Sequence, residues 1–80
     1  MSRPVDNYEA AAAVTPSDTT VLDCEGFYVG GGGNVAIVAK RTPNATAVTL
    51  TGCLAGNVYR IACSKIMATN TTATNIVALY

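Results

Sequence analysis

From Val14 onward the chain sets short apolar runs between turn residues that recur roughly every ten positions, the spacing of short antiparallel strands. Its apolar residues are mostly Val, Ile and Tyr, which fit a pleated surface, and Thr and Gly fill the intervals. Residues 46–51 alternate with period two: Val48 and Leu50 share one face, and Ala47, Thr49 and Thr51 share the other, which predicts a half-buried strand. Residues 58–63 repeat the pattern, with Tyr59, Ile61 and Cys63 opposite Arg60. The phase then breaks, because strict alternation would carry Lys65 inward and Ile66 outward, and a bulge is predicted at Ser64. Phe27-Tyr28-Val29 and Val35-Ala36-Ile37-Val38-Ala39 flank Gly30-Gly31-Gly32-Gly33-Asn34, which reads as a hairpin with a permissive tip.

Pro16-Ser17-Asp18 is a turn, whose Asp side chain can bond nearby backbone amides, and a strand over residues 19–23 is predicted to follow it. Lys40-Arg41-Thr42-Pro43-Asn44 is a charged turn. The closing segment Ile76-Val77-Ala78-Leu79-Tyr80 carries no charge, and predicts a strand buried on both faces, either between two sheets or between one sheet and a neighbouring subunit. Ahead of this body, residues 1–13 end in Glu9-Ala10-Ala11-Ala12-Ala13 and offer only Val5 and Tyr8 as apolar bulk. They read as an arm, either a disordered leader or a segment ordered by docking. Its alanines favour helix, but a helix this short depends on a partner. The expected architecture is all-β: a small antiparallel β-sandwich or barrel of about six or seven short strands over residues 14–80, with an extended N-terminal arm over residues 1–13.

Composition narrows what such a body can do. Eighty residues make one domain with a marginal core. Only 12% of them are charged, about half the usual share, which leaves uncharged surface for a partner to cover. Five basic residues balance five acidic ones, removing the electrostatic basis for holding nucleic acid or an anionic membrane. There is no His, so the commonest proton shuttle and metal ligand is missing, and an enzyme is not expected. No apolar run approaches the roughly 20 residues of a membrane span, and Met1-Ser2-Arg3-Pro4-Val5-Asp6 lacks the apolar segment of a signal peptide. The chain is expected to be soluble and made inside the cell.

The candidate chemistries fall short one by one. Cys24, Cys53 and Cys63 are odd in number and match no metal-ligand spacing, so they read as reduced core thiols. The glycine run lacks the G-x-G-x-x-G order and the following helix of a dinucleotide loop. Asp23 and Glu25 straddle Cys24 as a nominal carboxylate pair with no cationic neighbour in sequence, which suits a solvated edge better than acid–base chemistry. Asn44-Ala45-Thr46 and Asn70-Thr71-Thr72 match the glycosylation pattern without a secretory signal. With Phe27 and Tyr59 assigned to the core, Tyr28 and Tyr80 are too few for a sugar-stacking platform. Neither cofactor nor metal is implied.

Several segments together carry a resemblance. Val14-Thr15-Pro16-Ser17-Asp18-Thr19-Thr20, Phe27-Tyr28-Val29-Gly30 running into Asn34-Val35-Ala36-Ile37, Leu54-Ala55-Gly56, and above all Ala68-Thr69-Asn70-Thr71-Thr72-Ala73-Thr74-Asn75 leading into the closing apolar segment resemble the small spike-base and head decoration proteins of tailed bacteriophages and gene transfer agents. The resemblance covers residues 14–80. It implies a non-catalytic virion protein on the capsid surface, forming a cyclic homo-oligomer, fivefold before threefold. The implied partners are further copies of itself, the major capsid protein and a head fibre, with neither nucleic acid nor membrane among them. Gly52-Cys53-Leu54 departs from an Asn-Val-Pro type of segment, and Asn70 and Asn75 stand where the family often has Gly. Asn tolerates left-handed backbone next best, so those turns are expected to survive. The interface candidates are Val5 and Tyr8 on the arm, Tyr28, and Ile76, Val77, Leu79 and Tyr80 in the closing segment. The rival readings are a carbohydrate- or cell-surface-binding module, which predicts exposed aromatics, and a tail or baseplate adaptor.

Overall fold

A computed structural model describes residues 8–41, 44 and 46–80. Seven strands form two antiparallel sheets: β1 (Ala11–Ala13), β2 (Gly26–Gly31), β3 (Gly33–Ala39), β4 (Val48–Cys53), β5 (Asn57–Tyr59), β6 (Cys63–Ile66) and β7 (Thr74–Leu79). One sheet has the order β1-β7-β2-β5, and the other β4-β3-β6. The fold is therefore all-β, with the sheets face to face as two layers. The molecule's least dimension, 18 Å, is what two sheets about 10 Å apart require once their outer side chains are added.

Alternation along the strands fills the space between the layers. Phe27 and Val29 from β2, Ile76 and Ala78 from β7, Val35 and Ile37 from β3, and Cys63 and Ile66 from β6 all point inward and are buried. Phe27 stacks on Tyr59 at 5.5 Å between ring centroids and 25° between planes, a pairing that contributes about 0.5–1.5 kcal/mol beyond its buried area. Tyr59 then turns its hydroxyl to accept the amide of Leu54 at 2.8 Å.

Several expectations change in three dimensions. Phe27-Tyr28-Val29 and Val35-Ala36-Ile37-Val38-Ala39 do not form a hairpin: at Gly32 the chain leaves one sheet and enters the other. The predicted single strand over residues 58–63 is divided in the same way, between β5 in the larger sheet and β6 in the smaller. Its inward residues are still inward, because the two sheets face one core. β3 and β4 are the one sequence-consecutive pair that hydrogen-bond to each other. No strand forms over residues 19–23. Leu22 donates to the Ser64 carbonyl at 2.6 Å, while Val21 stays 59% exposed. From Ala11 the expected arm enters the sheet as β1, pairing Ala11 with Leu79, Ala12 with Ala78 and Ala13 with Val77. The backbone partners offered by β7 outweigh the alanines' preference for helix. The bulge at Ser64 forms: Val38 faces Lys65 and Ala39 faces Cys63, so Ser64 is the extra residue, and its hydroxyl donates to the Val38 carbonyl at 3.1 Å.

Two motifs that stand far apart in sequence pack together. The amide of Asn34 donates to Thr72 Oγ1 and that of Ala36 to Thr71 Oγ1, both at 2.9 Å, while the Asn34 carbonyl accepts from Thr72 and Ala73. A Cβ on Gly33 would stand 2.8 Å from both the Ala73 amide nitrogen and Thr72 Oγ1, closer than real contacts allow. The glycine run thus serves close approach of the threonine-rich turn. Asn70 (φ 68°) and Asn75 (φ 52°) are left-handed, so the Asn-for-Gly replacements keep the turns.

Asp18 also acts at long range. Its carboxylate accepts from Ala68 N at 2.8 Å, Thr69 N at 3.0 Å and Thr69 Oγ1 at 2.6 Å, clipping the first turn to the β6–β7 connection. The hydroxyl of Thr69, followed by the amides, holds the Asp18 pKa below the usual carboxylate range. The local bonds expected of Asp18 are made by Ser17 Oγ, which accepts from the amides of Thr19 and Thr20 at 3.2 Å each.

Candidate protein interface

The outward side chains of the four-stranded sheet follow from its register. Ala13, Val77, Tyr28 and Val58 stand side by side across β1, β7, β2 and β5, and the next row carries Ala11, Leu79 and Gly26. Neither row holds a charged side chain. Tyr28, Val77 and Leu79 are half-buried, whereas Val58 at the edge is 47% exposed. Over Gly26, where a Cβ would meet it at 2.6 Å, lies the Tyr8 hydroxyl, buried and with no hydrogen-bond partner. The backbone beside it is anchored by Glu9 N to the Tyr80 carbonyl at 2.6 Å and by Tyr80 N to the Ala10 carbonyl at 2.8 Å.

The predicted interface residues therefore divide. Tyr8, Tyr28, Val77 and Leu79 share the outer face of one sheet. Ile76 lies in the core of this chain, 2% exposed, and the ring of Tyr80 packs against that core while its hydroxyl donates to the Leu22 carbonyl at 3.2 Å. β7 is thus covered by the opposite sheet on one side only, and its other side faces outward. Val5 lies outside the described residues. Val58 and the alanines of β1 share this face without having been expected on it, because β5 and β1 are short and no periodicity in three residues could place them beside Tyr28 and Val77.

The remaining candidates offer little chemistry. Glu25 is paired with Lys40 at 3.3 Å, and Asp23 is held in a left-handed turn (φ 51°), so the two carboxylates are not arranged as an acid–base pair. Tyr8, Tyr28, Tyr59 and Tyr80 are each half-buried and Phe27 is fully buried, so the described residues present no exposed aromatic ring for a sugar to stack on. Among the described residues no group of three or more His, Cys, Asp or Glu side chains is gathered to hold a metal ion.

What the fold and this face define is a small two-layer β-sandwich with one uncharged, apolar side. Neither a family model nor a curated protein matches the chain. A solved structure described as the capsid of a native GTA (gene transfer agent) particle, computed with C5 symmetry, contains a chain similar to it: 26% identity and a TM-score of 0.78, covering 92% of this chain and 84% of that one.

Proposed function

We propose that this chain is a structural protein of a phage-like capsid particle, set on the outer surface as a spike base or decoration, and that the outer face of the β1-β7-β2-β5 sheet is where it meets its neighbours. The observation that carries the reading is the similarity to a capsid-particle chain over 92% of the residues at 26% identity, since so extensive a likeness reaches beyond a shared sandwich. The apolar rows agree with it. Charge-free side chains lying together on a sheet face form the kind of patch that a soluble monomer rarely leaves open. In this reading the protein performs no catalysis, assembles as a cyclic homo-oligomer with fivefold order ahead of threefold, and bears on the major capsid protein, with a head fibre as a further partner. The residues ahead of β1 serve attachment.

Particles purified from producing cells and treated with nuclease and salt supply the test. Mass spectrometry is expected to find the chain at a fixed ratio to the major capsid protein, and image reconstruction to find it on the outer surface. Its absence from washed particles sinks the reading, and density at the tail instead of the head would favour a tail adaptor. Removing residues 1–7 is expected to lower occupancy while leaving the β body folded.

A further inference from the structure

Cys24 and Cys63 stand 39 positions apart in sequence, yet they oppose each other directly in an isolated antiparallel bridge. Each donates its amide to the other's carbonyl, at 2.9 Å from Cys24 and 3.0 Å from Cys63. Mutual bonding of this kind sets Cα atoms about 5.5 Å apart, inside the separation that disulfides favour. Residues opposed in a bridge also send their side chains to the same side, and both cysteines are wholly buried, with the Cys63 thiol donating to the Ile61 carbonyl at 3.2 Å. The third cysteine has no such access. Cys53 pairs with Gly33 at one end of β3, whereas Cys63 pairs with Ala39 at the other end, roughly 20 Å away at the rise of a strand, and β4 and β6 lie on opposite sides of β3.

We propose that Cys24 and Cys63 close a disulfide across this bridge when the chain meets a small-molecule disulfide such as oxidised glutathione, stapling the segment that enters β2 to β6 and so one sheet to the other. The Cys24 thiolate attacks one glutathione sulfur; the glutathione S–S bond breaks, a mixed disulfide forms and one glutathione thiolate leaves. The Cys63 sulfur, losing its proton to solvent, then attacks Cys24 Sγ and expels the second glutathione. The protein gives up two electrons and two protons, and oxidised glutathione becomes two molecules of the thiol. Cys24 is the natural first nucleophile, because the neighbouring Cys63 thiol lowers its pKa, while the same neighbour and burial raise that of Cys63. Burial makes the reaction wait on local opening. Cys63 is held in β6, whereas Cys24 lies outside the strands beside the left-handed Asp23, so the Cys24 side of the bridge is the one that opens. A particle that leaves the reducing cell would supply the occasion, but the chemistry stands whether or not the chain is a virion protein.

The test uses the purified, reduced, folded chain held in oxidised glutathione, then denatured and alkylated. The expected result is one alkylated thiol out of three, a peptide joining Cys24 to Cys63, and a melting temperature raised by about 10 °C or more, as closing a loop of this length predicts. Cys53→Ala should behave as the parent does. The closure rate should rise with pH and level earlier than the roughly pH 8.5 of an unassisted thiol. Three alkylated thiols, a lasting glutathione adduct, or a bond involving Cys53 would each overturn the proposal, and because the parent chain decides the outcome no variant has to fold.

Discussion

The two sheets share one core and differ on their outer sides. Across β1-β7-β2-β5 the outward row reads Ala13, Val77, Tyr28, Val58. On the β4-β3-β6 side, Thr49 stands beside Ala36 and Lys65 beside Val38, and both of these apolar β3 residues are covered within the chain, 1% and 3% exposed. Folding accounts for the inner faces of both. It does not account for an apolar outer row on one of them, where four side chains gain nothing from charge and leave a continuous patch. In the proposed reading, one sheet is finished by its own outer side chains and the other by a neighbour.

The sharpest way to break this contrast is to put a charge on each side in turn. Val77→Lys should reduce self-assembly and incorporation into particles at least tenfold, because a desolvated, unpaired ammonium costs more than the 1.4 kcal/mol that tenfold represents. Thr49→Lys should leave both unchanged, and Val58→Lys, at the more exposed edge, repeats the test if Val77→Lys weakens the fold. Equal behaviour of the two sheets in light scattering and particle occupancy would remove the distinction.

The inner and outer sides of β7 offer the next comparison. Ile76→Ala leaves a cavity in the core and should cost about 2–5 kcal/mol in denaturant unfolding of the isolated chain, whereas Val77→Ala should cost less than about 1.5 kcal/mol there. Similar losses at both positions would mean that the outer row is already covered within the monomer.

A smaller effect is expected at the Asp18 clip. Its acidity is strengthened in the folded state, so its stabilisation is present above the ordinary carboxylate value of 3.8 and is lost as pH falls through the lower folded value. Asp18→Ala should flatten that acid limb and loosen amide-exchange protection at Ala68 and Thr69, and an unaltered limb would assign the acid sensitivity elsewhere. Smallest of all, Asn70→Gly should change stability by less than about 1 kcal/mol, since both residues accept the left-handed turn. A larger loss would give the Asn70 side chain a role beyond its backbone.

How much of this was legible follows from what periodicity records. Alternation reports whether a side chain faces the core, and Tyr59, Ile61 and Cys63 are placed on the core side correctly. It is silent on which sheet carries the strand, because both sheets look onto the same core, and so the crossings at Gly32 and at residues 60–62 left no trace in the pattern. The bulge at Ser64 was readable because a bulge shifts the phase itself. The left-handed Asn70 and Asn75 were readable because few residues tolerate that backbone. The partners of Asp18 lie 50 and 51 positions away, and nothing local distinguishes such a clip from an ordinary turn. The outer row needed the register of four strands, two of them only three residues long. The meeting of Cys24 with Cys63 needed the register of a single bridge.

One arrangement bears on how the chain is made. β7 lies between β1 and β2, yet it leaves the ribosome after the six other strands. Until it arrives, β1 has no partner in its sheet, β2 has only β5, and the core lacks Ile76 and Ala78. The larger sheet therefore cannot be completed before β7 emerges, and until then the nascent chain carries unpaired edges with few charges to keep other chains away. Pairing the first strand with the last also makes folding depend on distant contacts, which are slow to find. A quality-control system would see the larger sheet as unfinished until β7 is in place, because β1 and one edge of β2 stay unpaired without it.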